Sequence, residues 1–148
     1  MELLRNKLIE SNALKENDKF DPNLHDIILE YAEGGSVKSL YKSYPDLQLI
    51  VKLKICHGVS KGLSYLHSHG VVHGDMKAAN ILLGKRYDPE NPLNDLCPKI
   101  CDFGLSEVIK KAGDIVKSSG YTLAFVAPEV LKGENSFASD IYSFGLTI

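Results

Sequence analysis

The sequence lacks any apolar run approaching the ~18 residues that a membrane-spanning helix needs. Its opening stretch, MELLRNKLIESN, has neither the basic start nor the small-residue cleavage site of a secretory leader. A membrane partner and export are therefore not expected, and a cytoplasmic location is. Cysteine is scarce: Cys56, Cys97 and Cys101 form no CxxC pair, and their odd number and irregular spacing give no disulfide framework. Reduced thiols are expected. An excess of one charge is missing too, since 17 basic residues face 19 acidic ones for a formal net charge of −2. Without a basic stripe, nucleic acid is not an expected partner, and any phosphate chemistry has to come from a local site. There is no internal repeat and no low-complexity segment. What is present, 148 residues of which 44% are apolar, suits one soluble globular domain with a single core.

Residues 1–23 are polar and interrupted. Within them LLRNKLIE places Leu3, Leu4 and Leu8 at helical spacing, which predicts one helix and then a loop. DIILEY, residues 26–31, is a short apolar, β-favouring run before Gly34 and Gly35, and predicts a buried strand followed by a turn. Ser36 is placed to cap a short helix through Tyr41. After Pro45, with Asp46 as N-cap, Leu49, Leu53, Cys56, Val59, Leu63 and Leu66 recur every three or four residues until Gly70, the clearest helix signal in the chain. Beyond it the period shortens, and VVH, ILL and KIC predict small β-pairs between polar loops. KRYDPENPLNDLCP, residues 85–98, is long and turn-rich and predicts a surface insertion. Pro128 fits the first turn of a further short helix, and Ser139 or Asp140 the start of a last one, DIYSFGLTI.

Two segments carry groups suited to chemistry. HGDMKAANILL, residues 73–83, puts Asp75, Lys77 and Asn80 on one loop closed by an apolar strand. Further on, KICDFGLS puts Asp102 at the end of another short strand, with Gly104 free to turn the chain away. Asn80 and Asp102 supply the oxygen ligands that a hard cation such as Mg²⁺ takes together with substrate phosphates. Taken singly, an Asp between His and Lys is ordinarily a turn former. His67, His69 and His73 with Cys97 and Cys101 match no common zinc spacing.

In these residues the chain resembles the eukaryotic protein kinase family. The match consists of HxDxKxxN at His73, Asp75, Lys77 and Asn80, DFG at Asp102, Phe103 and Gly104, APE at Ala127, Pro128 and Glu129, and DxYxFG at 140–145, in the family's order. The resemblance implies an α+β, protein-kinase-like fold, mostly the helical C-terminal lobe with a remnant of the N-terminal-lobe sheet. Residues 1–23 would be the end of an N-terminal-lobe helix and a loop, and 24–148 a partial kinase domain running from the hinge into the DxYxFG helix, where it is cut off. The implied function is transfer of the γ-phosphoryl of Mg·ATP to a Ser or Thr hydroxyl of a protein substrate, with ATP and Mg²⁺ as cofactors. Asp75 would orient the hydroxyl and accept its proton, and Lys77 would offset charge on the γ-phosphoryl oxygens. Asn80 and Asp102 would hold the metal. Leu29 would be the gatekeeper, the backbones of Glu30 and Ala32 would hydrogen-bond adenine, and Leu82 would lie beneath the base. Ser36 would contact ribose, with a helix cap as an equal reading. His73 and Phe103 would be packed structural residues, and Lys110, Lys111 and Lys117 a solvated face.

The chain also departs from the family pattern. It contains no GxGxxG run and no VAIK-like lysine, and the arginine partner expected for Glu129 is absent. The 148 residues by themselves are therefore expected to turn over negligibly, and a pseudokinase-like binding module or truncated remnant is the second reading. Gly74 stands where many kinases carry the arginine that pairs with an activation-segment phosphate, so phosphorylation of Ser118, Ser119, Tyr121 or Thr122 is not expected to act through that contact. HGDxxxxN is also similar to small-molecule phosphotransferases, which lack the APE element present here. Lys77 and Thr122 resemble the serine/threonine type, and the hinge and DIYSFG the tyrosine-kinase-like group.

Overall fold

The computed structural model describes residues 29–92, 94–109, 115–117 and 120–148. By its contacts the chain divides into two compact units, Met1–Glu30 and Tyr31–Ile148. Leu29 and Glu30 are the described residues of the first, so the architecture that follows is that of the second. The helix expected over LLRNKLIE lies outside the described residues, as do 26–28 of the expected strand, while 29–31 are not in a strand.

After the turn at Glu33 and Gly34 comes helix α1 (Val37–Ser43), capped by Ser36, whose Oγ accepts the Ser39 N–H at 3.2 Å. The segment before the cap is stitched to a later strand: Gly34 N–H donates to Leu83 O, Leu83 N–H to Gly35 O, both at 2.8 Å, and Ser36 bridges to Leu82. Pro45 and Asp46 form a turn that drives Leu47 into the core, and helix α2 (Leu49–Ser68) starts only after it. Its N-cap is Gln48 with no side-chain cap bond, which corrects the expectation for Asp46.

The buried stripe of α2 also differs from the expected one. Val51, Ile55, Val59 and Leu63, four residues apart, are buried, while Leu49 and Leu53 face outward. The run LIVKLKIC offers two overlapping apolar stripes, and the one continuous with Val59 and Leu63 wins. At ~1.5–3 kcal/mol per buried side chain, these four contribute roughly 6–12 kcal/mol before entropy is counted. Around them pack Val37 and Leu40 of α1, Met76, Leu96, and Ile81 and Leu83 from the next strands.

Three short antiparallel pairs follow. β1 (Val71–Val72) pairs with β4 (Glu107–Val108), and β2 (Ile81–Leu83) with β3 (Pro98–Ile100). β5 (Val116–Lys117) pairs with β6 (Glu134–Asn135), a pair the sequence pattern does not announce. β3 lies directly on α2 because the helix carries Gly58 and Gly62 there. A Cβ at Gly58 would sit 2.2 Å from Pro98 Cγ, and one at Gly62 3.1 Å from Ile100 Cδ1. Pro128 falls in a turn ahead of a 3₁₀ helix, Val130–Lys132. The last helix, α3 (Phe137–Thr147), is capped by Ser136 through the Ser139 N–H. It therefore begins ahead of the expected Ser139 or Asp140, which are buried in its first turn. No helix among the described residues is long and apolar enough to cross a membrane.

Candidate active site

The loop between β1 and β2 is held at its base by one buried carboxylate. Asp140, on α3 and 1% exposed, accepts the backbone N–H of His73 on Oδ2 and of Gly74 on Oδ1, each at 2.8 Å. Its Oδ2 also meets His67 Nε2 of α2 at 2.9 Å. One side chain thus ties two helices to the loop backbone. His73 is fully buried: its Nδ1 accepts the Asp75 N–H at 3.2 Å, which requires the Nε2–H tautomer, and Nε2 donates to Cys101 O at 3.0 Å. The histidine therefore links the Asp75 loop to the residue beside Asp102. Gly74 adopts φ 79°, and a Cβ there would lie 2.6 Å from Leu105 O. Both facts favour glycine at this point.

Asp75 is the centre of a closed polar cluster. Lys77 Nζ donates to its Oδ2 at 2.5 Å, Asn80 Nδ2 to Oδ2 at 3.0 Å and to its backbone oxygen at 2.9 Å, and Thr122 Oγ1 to Oδ1 at 2.6 Å. Lys77 Nζ also donates to Thr122 Oγ1 at 2.9 Å. Burial pushes the Asp75 carboxyl up, but the Lys77, Thr122 and Asn80 bonds to the ionised form outweigh it and hold it below its ordinary value. The result is a fixed, ionised acceptor with a cation beside it.

Asn80 is placed by a single 3₁₀ turn, Ala78–Asn80, closed by its N–H on Lys77 O at 2.9 Å. Its carbonyl accepts the Cys101 N–H at 3.0 Å, continuing the Ile81–Ile100 register one step past β2 and β3. Asp102 follows immediately, exposed and at φ 64°. Such a φ is costly for a residue other than glycine and persists where surrounding contacts impose it. The two oxygen donors thus emerge from the same end of one β-pair. Asn80 uses its amide nitrogen on Asp75, which leaves its amide oxygen outside that network. Oxygen donors without sulfur or imidazole suit Mg²⁺. Among the described residues no group of three or more His, Cys, Asp or Glu could hold a metal ion.

Of the other expected residues, Ser36 and Leu82 are joined by their bridge, and Ala32 O accepts the Gly35 N–H of the same stitched segment at 3.3 Å. The Ser36 hydroxyl serves as the α1 cap. Leu29 and Glu30 belong to the other unit and are exposed. Phe103 stacks edge-on against His73 at 5.3 Å, but at 49% exposed it is not core. Lys117 is exposed in β5, whereas Lys110, Lys111, Ser118 and Ser119 lie outside the described residues. Glu129 accepts from Ser139 Oγ at 2.9 Å. Sequence reasoning missed Thr122 and Asp140 as members of the site. Thr122 lies 45 residues from Lys77, so only the fold brings it there; the signal was its place ahead of APE.

The model of the family described as the protein kinase domain matches residues 7–148. The chain is 40% identical over 127 residues to mitogen-activated protein kinase kinase 7 of Arabidopsis thaliana, covering 82% of this chain and 38% of that protein. It is 38% identical over 133 residues to serine/threonine-protein kinase CTR1 of Arabidopsis thaliana, covering 86% and 15%. With dual specificity protein kinase splA of Dictyostelium discoideum it shares 36% identity over 135 residues, covering 84% and 6%. The chain thus spans well under two thirds of the length of these curated relatives.

Proposed function

The chain belongs to the protein kinase domain family, and on that premise we propose that it forms the phosphoacceptor and metal-binding half of a serine/threonine protein kinase acting with Mg·ATP. The observation that carries this reading is the cluster of Asp75, Lys77, Asn80 and Thr122. Asp75, ionised and immobilised, aligns a substrate hydroxyl and takes its proton as the oxygen bonds to phosphorus. Lys77 places a positive charge where the transferring group becomes negative. Asn80 and Asp102 hold the cation through their oxygens. Bound Mg·ATP supplies the phosphoryl group and a cation to neutralise its charge. Thr122 ties the segment before APE to Asp75, so a polypeptide lying along that segment presents its hydroxyl to the acceptor. That placement favours a protein over a small-molecule substrate. The roles of Leu29, Glu30 and Ala32 toward adenine, of Leu82 beneath it and of Ser36 toward ribose rest on the sequence resemblance. Three free thiols suit a reducing compartment such as the cytoplasm.

The test supplies the elements that the 148 residues do not contain. Residues 29–148 are joined to the glycine-rich and lysine-bearing strands of an active relative, and Mg·ATP is added with mixed Ser/Thr and Tyr peptides, choline and an aminoglycoside. Phosphorylation of Ser or Thr peptides, abolished by Asp75→Ala, supports the proposal. Phosphorylation of choline or the aminoglycoside instead, or peptide transfer that survives Asp75→Ala, refutes it.

A further inference from the structure

Where α1 passes into α2, the turn from Ser43 to Gln48 faces Tyr87 and Pro89 of the loop after β2, and together they line an open cleft of about 300 Å³. It shares no lining residue with the Asp75 cluster. We propose that this cleft docks a proline-rich segment in the polyproline II conformation that carries a basic side chain, a binding surface separate from phosphoryl transfer. Its walls are Tyr44 and Tyr87, whose rings stand edge to face with centroids 4.8 Å apart and planes at 76°, flanked by Pro45 and Pro89. Rings set nearly at right angles make an apolar corner of the kind on which proline rings pack. Tyr87 also packs against the core, so the corner is preformed and a partner orders little on binding.

The backbone around the cleft argues against an added β-strand. Pro45 and Pro89 have no N–H to offer, and the Tyr44 and Leu47 N–H groups are already engaged by Leu40 O and Tyr44 O. The donors left are side chains: the tyrosine hydroxyls, Ser43, and Gln48, whose amide makes no cap bond to α2. A polyproline II segment suits such donors, because its carbonyls form no internal hydrogen bonds and need no ladder. Asp46 is the one charged residue among those lining the cleft. It has no hydrogen bond or ion pair through its carboxylate, and α2 does not take it as a cap. Lys42, Arg86, Asp88 and Glu90, close by in sequence, do not line the cleft. An unpaired carboxylate beside two aromatic rings selects a cation, by charge and by attraction to the ring faces.

The probe is a fluorescein-labelled peptide, Arg-Pro-Pro-Leu-Pro-Pro-Arg, with a basic residue at each end so that either direction of entry brings one to Asp46. It is titrated with the purified chain and followed by fluorescence polarisation. Saturable binding is expected, weakened at least about tenfold by Tyr44→Ala and severalfold by Asp46→Lys. Both positions are exposed, so circular dichroism should show the fold of each variant unchanged. A peptide with Ala in place of every Pro, which keeps the charge, should bind severalfold more weakly, as should one with Glu in place of Arg. The proposal is overturned by no binding at millimolar chain, by equal binding to Asp46→Lys, or by equal binding of either altered peptide. Light scattering that shows chain dimers dissolved by Tyr44→Ala would assign the cleft to a second copy and also overturn it.

Discussion

Replacing Asp140 with Asn tests whether one buried carboxylate holds the loop that carries Asp75. The side chain keeps its size but exchanges one accepting oxygen for a donating NH₂. In the native chain the two oxygens accept the His73 and Gly74 N–H groups at 2.8 Å, and Oδ2 also meets His67 Nε2 at 2.9 Å. In the variant one of those buried N–H groups faces another donor. An unsatisfied buried donor costs ~1–3 kcal/mol, and losing the charge from the remaining bonds adds a comparable amount, for a total of about 2–5 kcal/mol. For a chain of this size each kcal/mol moves the melting midpoint by ~2–4 °C, so Asp140→Asn should lower it by about 4–20 °C. Thermal melts by circular dichroism measure this. Ser143→Ala on the same helix is the comparator, because Ser143 Oγ only bonds back to Ser139 O at 3.0 Å, and it should change little. A fall for Asp140→Asn no larger than that of Ser143→Ala would refute the reasoning.

Other consequences follow from the same contacts. Thr122→Ala removes a bond to the ionised Asp75 carboxylate, so the Asp75 titration followed by NMR should move up, whereas Thr122→Ser should leave it in place; no difference between the two would contradict the assignment. Because folded Asp75 titrates below its ordinary 3.8, its stabilising contribution is whole above that pH and is lost as pH falls below it. Urea midpoints of Asp75→Asn should therefore depend less on pH in that acid range than those of the native chain. Burial raises the Cys56 and Cys101 thiols above the ordinary 9.0, and the neighbouring Asp102 charge raises Cys101 further. Near neutral pH both should alkylate more slowly in the folded than in the urea-unfolded chain, and Asp102→Asn should speed Cys101; equal rates throughout would refute this.

The sequence made most of the helical framework legible and much less of what locks it. Helix α2 is visible because its apolar residues repeat over many turns, yet its start was displaced from Asp46 to Gln48. The Pro45 turn, held by the core position of Leu47, consumed the residue that looked like a cap. The inward stripe was ambiguous for a related reason, since Leu53 and Ile55 both fit a helical period and only packing against β2 and β3 chooses between them. Asp75, Lys77 and Asn80 were readable because they share one loop. Thr122 was not, because its hydroxyl reaches Asp75 across 47 residues of sequence. Asp140 looked like the start of a helix, and its role as an acceptor for loop backbone depends on α3 lying against β1. The β5–β6 pair, two residues long on each side, is too short to leave a periodic signature.

Asn80 and Asp102 are proposed to hold a cation beside a nucleotide. Isothermal calorimetry of the purified chain with ATP, with and without Mg²⁺, measures this, and Asp102→Ala is the control. Binding should need Mg²⁺ and disappear in Asp102→Ala. Failure of the folded chain to bind Mg·ATP, or binding indifferent to Asp102→Ala, would contradict it.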